Sequence, residues 1–198
     1  VEIDPNVVTM ARRHFGVVED ARLKLVVDDG RKFLAESKEQ FDIIFVDAYR
    51  GTWVPETLTT VEFFNLAKAR LAPGGVIAQN IEPTTLFYDG LVATLKAVFG
   101  NVDAYRNPFD PVEFTNTVVV AYSGAPKTAK ALAARGQALQ ARYKLRYPLP
   151  ELLRLRKTVQ ARAGDKPFTD QFSKANEMLN IDKANSKNTP RQRRAQCG

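Results

Sequence analysis

Apolar and polar positions along this 198-residue chain follow two periods in turn. Short, nearly continuous apolar runs alternate with stretches where apolar residues recur every three or four positions. The first pattern predicts strands covered on both faces, the second amphipathic helices. Val1-Glu2-Ile3 reads as the end of a strand with an acid at its tip. Pro5 to Phe15 reads as a helix, with Pro in its first turn, Val7, Val8, Ala11 and Phe15 on one face, and Gly16 after it. Leu23 to Val27 predicts a strand running into Asp28-Asp29-Gly30, and residues 31–36 a short helix. Phe41 to Val46 is the most hydrophobic strand and ends at Asp47. Residues 59–71 predict a helix stopped by Pro73-Gly74-Gly75, and Val76 to Asn80 a further strand. Residues 84–99 predict a helix with Leu86, Leu91, Leu95 and Phe99 apolar. Val102 to Tyr105 and Thr117 to Tyr122 predict two strands that pair as an antiparallel edge, joined by a loop holding Asn107-Pro108-Phe109-Asp110-Pro111.

Strands alternating with helices predict an α/β fold with a doubly wound, mostly parallel, Rossmann-like sheet. Val1 to Ile3 takes the place of the second strand of such a sheet. The expectation is therefore an N-terminally truncated domain over residues 1–122, with the first strand and its glycine-rich loop missing. Past Tyr122 the character changes. Residues 129–143 and 152–163 read as basic helices, and Leu149, Leu152, Leu153 and Leu155 offer one apolar face to the preceding domain. Residues 123–181 are thus expected to form a basic helical extension. Residues 182–198, which have no periodicity, are expected to be a disordered basic tail.

Charge divides the chain the same way. Residues 1–122 carry 12 Lys/Arg and 17 Asp/Glu, a net −5; residues 123–198 carry 17 and 5, a net +12, which together give +7. An acidic half suits a cationic small substrate. A basic half either stays solvated or touches nucleic acid, and that choice stays open. The one cysteine, Cys197, has no internal disulfide partner, so a reducing cytoplasm is expected. No apolar run nears the roughly 20 residues that span a bilayer.

Ligands of such sheets sit beyond the carboxyl ends of the strands, where Glu2, Asp29 and Asp47 fall. A carboxylate at Glu2 can accept both hydroxyls of a ribose; it can also cap the following helix, although Asp4 stands better placed for that. Asp28 or Asp29 can accept from an adenine amine, with Gly30 permitting close approach, or the three can form an ordinary turn and helix cap. Asp47, at the end of an apolar strand, is expected to be partly desolvated and a better base for it; the alternative is a cap for the next loop. That loop, Ala48 to Pro55, carries Tyr49 and Trp53 and suits a segment covering substrate, although both aromatics also suit packing. Gln79-Asn80 ends another strand and either lines the pocket or satisfies local backbone. Phe168-Thr169-Asp170 either returns a polar group toward the site or caps a terminal helix. His14 has no second His or Cys nearby, and no serine or cysteine nucleophile motif is present.

Taken together, Val1-Glu2-Ile3-Asp4, Val26-Val27-Asp28-Asp29-Gly30, Phe41 to Asp47, Glu62-Phe63-Phe64 and Leu71-Ala72-Pro73-Gly74-Gly75-Val76 resemble the spermidine synthase (polyamine aminopropyltransferase) family over residues 1–122. The variant resembled is the bacterial spermidine-synthase-like one, lacking its N-terminal part. The fold is shared with S-adenosylmethionine-dependent methyltransferases, so it does not choose the reaction. The resemblance implies transfer of an aminopropyl group from decarboxylated S-adenosylmethionine, a co-substrate and not a resident cofactor, to putrescine or a related amine, without a metal. It implies that Glu2 binds the ribose, that Asp29 and Gly30 contact the adenine, and that Asp47 accepts the proton of the attacking amine, with Tyr49 beside the substrate. The family's loop Asp-Ser-x-Asp-Pro is here Asp47-Ala48-Tyr49-Arg50-Gly51, which puts a cation where a second acid would hold the diamine. The family's C-terminal Thr-Asp-Asp pattern is half present as Thr169-Asp170-Gln171. A methyltransferase on the same fold, or a non-catalytic module with a nucleic-acid-binding tail, are the rival expectations; a homodimer stays open.

Overall fold

The computed structural model describes residues 1–49, 54–81, 86–106, 117–162 and 164–171. Its centre is a five-stranded mixed sheet in the order β1-β2-β4-β3-β5, formed by β1 (Phe41–Val46), β2 (Leu71–Ile81), β3 (Asn101–Arg106), β4 (Thr117–Tyr122) and β5 (Arg156–Thr158). β1 and β2 pair in parallel across the crossover helix α3 (Val61–Ala69). The pairs β2–β4, β3–β4 and β3–β5 are antiparallel. β1, β2 and β3 therefore run one way and β4 and β5 the other. The α/β Rossmann-like class holds, and the antiparallel strands come from the second half of the chain. The β3–β4 pairing is the expected one, but it lies inside the sheet, because β4 slots between β2 and β3 and β5 covers the far edge.

Helices form where caps and periodicity agree. Asp4 caps α1 (Pro5–His14) by accepting the Asn6 N–H at 2.8 Å, and Pro5 needs no such partner. α1 buries only Val8 fully, and Phe15 is 80 % exposed, so its expected apolar face is mostly uncovered among the described residues. The helix expected over 59–71 is shorter. Glu56–Leu58 makes a 3₁₀ turn, and the Thr60 hydroxyl caps α3 at the Phe63 N–H (3.3 Å). Pro73-Gly74-Gly75 does not interrupt the chain path as a loop; it is a bulge within β2, with Gly74 at φ +81°. A Cβ on Gly75 would stand 2.9 Å from the Ala72 carbonyl oxygen and 3.0 Å from that of Phe41, which explains glycine there. α4 (Leu86–Phe99) and α3 cover one sheet face. Phe63, Phe64, Leu91, Leu95 and Phe99 pack over Ile77, Val102 and Val119, with Phe64 edge-on to Phe99 at 6.4 Å.

Two sequence expectations are corrected. Residues 23–27 form no ladder, only a parallel bridge between Glu2 and Val27, held by Glu2 N–H to Val26 (2.9 Å) and Asp28 N–H to Glu2 (3.1 Å). Neither segment has a second neighbour among the described residues, and one bridge does not propagate. Residues 152–163 do not form a helix. α6 (Leu149–Leu153) is short, and packs on α5 (Ala129–Tyr143) through Leu149 and Leu153 against Gly136. The chain then becomes β5 because Asp103 is buried in the sheet and needs partners. Arg156 Nε reaches its carboxylate at 2.8 Å and the Thr158 hydroxyl donates to it at 3.1 Å.

The extension also returns to the core. Phe168 is 3 % exposed, stacks on Phe87 at 5.3 Å and lies over Gly90. Its N–H donates to the Thr94 hydroxyl (2.8 Å), and its carbonyl accepts the Val61 N–H (2.8 Å). Among the described residues no helix is long and apolar enough to cross a membrane. The sequence expectations for Arg50, Trp53, the loop at 107–111 and the tail at 182–198 lie outside the described residues.

Candidate active site

Three strand ends converge on one open cleft of about 890 Å³. Its polar lining is Glu2, Asp28, Asp29 and Asp47, with Gly30 and Tyr49 beside them. These residues lie up to 47 positions apart, and only the sheet brings them together.

Each acid meets its local backbone differently. Glu2 accepts the Asp4 N–H through Oε1 at 2.9 Å; among the described residues no hydrogen bond to Oε2 is seen, and the residue lines the cleft. Glu2 thus supports the local turn through one oxygen while lining the cleft. Asp29 is the N-cap of α2 (Gly30–Glu36), and its Oδ1 accepts the N–H groups of Arg31 (2.9 Å) and Lys32 (3.0 Å). Asp28 pairs with the Lys32 ammonium, both oxygens at 3.2 Å, and holds that group's proton more firmly than an ordinary lysine does. Gly30 has an ordinary φ, and a Cβ there would meet nothing within 4 Å. Among the described residues, packing does not require glycine at this spot, which lines the cleft.

Asp47 leaves the end of β1 beside the end of β2. Asn80 of β2 donates to Asp47 Oδ1 at 3.4 Å, and the Tyr49 hydroxyl donates to the Asn80 carbonyl at 2.8 Å. Asn80 thereby ties Asp47 and Tyr49 into one group. The expected desolvation of Asp47 is not met. Val46 beneath it is buried, but Asp47 itself stands exposed at the cleft mouth. The side chain has left the apolar strand, and no described element covers it. Gln79 does not line the cleft. It is 1 % exposed, and neither amide atom has a hydrogen-bond partner among the described residues.

The rest of the cleft is apolar, formed by β1 on one side and Val1 and Ile3 on the other. The outer edge of β1 has no strand beside it among the described residues, and Ile43 and Phe45 are 50 % and 74 % exposed. The both-face coverage expected for this strand is therefore absent. Among the described residues, no three His, Cys, Asp or Glu side chains gather as metal ligands.

The Phe168-Thr169-Asp170 segment brings Asp170 against Arg31 and Thr60, partners that the sequence did not indicate. The Arg31 guanidinium grips both Asp170 oxygens, with Nη1–Oδ1 at 2.9 Å, and the Thr60 hydroxyl donates to Oδ1 at 2.7 Å. Arg31 holds the Asp170 carboxyl below the usual carboxylate range, and Asp170 raises the guanidinium in turn. The capping role of Thr60 has a local signal, but the partnership with Asp170, 110 positions away, has none.

A mixed sheet with crossover helices and a cleft beyond the ends of its strands defines an α/β Rossmann-like fold. The human methyltransferase-like protein 13, solved in complex with SAH, has this fold: TM-score 0.60, 23 % identity, 89 % of this chain and 75 % of that one. A probable spermidine synthase from Corynebacterium glutamicum ATCC 13032 aligns at TM-score 0.63 with 21 % identity, over 87 % of this chain and 63 % of that one. The family model for the Spermine/spermidine synthase domain matches residues 1–109. The polyamine aminopropyltransferase of Vibrio vulnificus (strain CMCP6) is 31 % identical over 185 residues, 89 % of this chain. The chain belongs to the spermine/spermidine synthase family, whose matched relatives are transferases. It spans 60 % of the length of the Vibrio protein.

Proposed function

We propose that this chain carries the nucleoside and acceptor cleft of a spermidine synthase-like aminopropyltransferase, taking the aminopropyl group from decarboxylated S-adenosylmethionine and passing it to putrescine or a related amine. The observation that carries the reading is the meeting of Glu2, Asp29 and Asp47 in one cleft beside an unfilled Gly30. Family membership supports it. In this reading the second oxygen of Glu2 accepts a ribose hydroxyl. Asp29, its Oδ1 occupied by the helix cap, offers the other oxygen to the adenine amine, and Gly30 lets the base lie against the backbone.

The chemistry asks little beyond positioning. A neutral amine attacks the carbon next to the sulfonium, and its lone pair becomes the new C–N bond. The C–S bond breaks with its electrons going to sulfur, which leaves neutral methylthioadenosine. Asp47 takes one proton from the incoming ammonium to give that neutral amine, and the new secondary amine leaves still protonated. An exposed Asp47 attracts a protonated amine before it takes the proton, and the Asn80–Tyr49 pair aims it. The acidic charge of residues 1–122 favours a cationic acceptor.

The test is an assay of the purified protein with decarboxylated S-adenosylmethionine and putrescine, following methylthioadenosine. Release of methylthioadenosine that depends on putrescine is expected. S-adenosylhomocysteine formed from S-adenosylmethionine, with no methylthioadenosine from the decarboxylated donor, would show a methyltransferase instead.

A further inference from the structure

Asp170, in the C-terminal extension, is joined to the cleft's frame through three residues. Its carboxylate takes the Arg31 guanidinium and the Thr60 hydroxyl, and its N–H donates to Glu62 at 3.1 Å. Arg31 adds a hydrogen bond to the Thr57 carbonyl at 3.2 Å. Arg31 directly follows Gly30, and Thr57 lines the cleft, so the guanidinium sits behind the rim and is turned outward to the extension.

The direction of that turn matters electrostatically. Among the described residues, the charged side chains lining the cleft are acids: Glu2, Asp28, Asp29 and Asp47. Lys32, the other nearby cation, is held by Asp28. Arg31 is also drawn by Glu62 and Asp29, but its direct charge partner is Asp170. Without it, a permanent cation one residue from Gly30 would be free to swing toward the acids of the cleft. It would then compete with any positively charged ligand.

We propose that Asp170 is a positioning residue that withholds the Arg31 cation from the acidic cleft, and so sets the cleft's preference for positively charged over neutral adenosyl ligands. The proposal rests on the nucleoside reading of the cleft given above. It differs from a plain structural tie in one respect. A tie is broken equally by losing either partner, whereas withholding a cation matters only while the cation is there.

The test compares Asp170→Asn, Arg31→Gln and the double variant in the full chain. The two probes are decarboxylated S-adenosylmethionine, with two positive charges, and methylthioadenosine, with none. Calorimetry at low and high salt gives the dissociation constants. Asp170→Asn is expected to weaken the cationic probe roughly three- to tenfold more than the neutral one at low ionic strength, and the excess should shrink in salt. Arg31→Gln should keep the wild-type preference, and the double variant should recover it. Equal loss of both probes in Asp170→Asn, or a matching loss of preference in Arg31→Gln, would overturn the proposal; the second outcome is decisive even if Asp170→Asn does not fold. If the wild type binds neither probe, the nucleoside reading falls and this proposal with it. If it binds both and Asp170→Asn leaves their ratio unchanged, only this proposal falls.

Discussion

Asp47 and Glu2 both line the cleft, yet their surroundings differ. Asp47 has one long contact, from Asn80 at 3.4 Å, and faces the mouth of the cleft. Glu2 is tethered by the Asp4 N–H through one oxygen. Asp47→Asn in the intact enzyme is therefore expected to cut turnover by about 10²–10⁴-fold, the usual worth of a general base, while adenosyl ligands bind nearly as before. Steady-state rates alongside ligand titration check this, and near-normal turnover would remove Asp47 from the chemistry. Glu2→Gln should do the reverse. It keeps the size of the side chain but loses the charge that strengthens a hydroxyl contact, so ligand affinity should fall with less change in the chemical step. An unchanged dissociation constant would leave Glu2 as a turn residue only.

At the scale of elements, the notable join is between α4 and the extension. Phe168 fills the space that Gly90 leaves, stacks on Phe87, and has its backbone groups bonded to buried Thr94 and partly buried Val61. It positions Asp170 two residues further on. Phe168→Ala should cost about 3–5 kcal/mol, as for other buried aromatics, because the surrounding helix backbone cannot collapse into the void. Denaturant unfolding measures this, and a loss below about 1 kcal/mol would mean the extension docks without its anchor. Gly90→Ala should destabilise as well, since the added Cβ runs into the Phe168 ring. β5 shows a similar logic at the sheet edge, where buried Asp103 recruits Arg156 and Thr158 and overrides the helical pattern of the segment.

For the molecule as a whole, the long-range pairing of Asp170 with Arg31 links stability to pH. The guanidinium lowers the Asp170 carboxyl in the folded state, while the unfolded chain titrates near the ordinary value of about 3.9. The stabilisation is thus fully present above the unfolded value and is lost as pH falls through the lower folded one. Asp170→Asn should be less stable than wild type at neutral pH, and the gap should close as the solution is acidified below about pH 4. Thermal melts of both proteins between neutral pH and about pH 2 test this; a gap independent of pH would show that the charge of Asp170 contributes nothing. The same pairing marks the boundary of what local sequence carries. Hydrophobic periods, proline and glycine punctuation, and acids at strand ends were enough for the α/β class, for β1, α4 and α5, and for Glu2, Asp29, Gly30 and Asp47 as a set. These features act within a few residues of one another, through backbone preference and burial of one face. The close packing at Gly75 in the β2 bulge, the strand β5, the exposure of Asp47 and the Arg31–Asp170–Thr60 cluster were decided by the tertiary structure alone. Each depends on what lies across space: a carbonyl too close for a Cβ, a buried carboxylate needing a cation, a strand edge with no neighbour, and a charge pair separated by 139 positions.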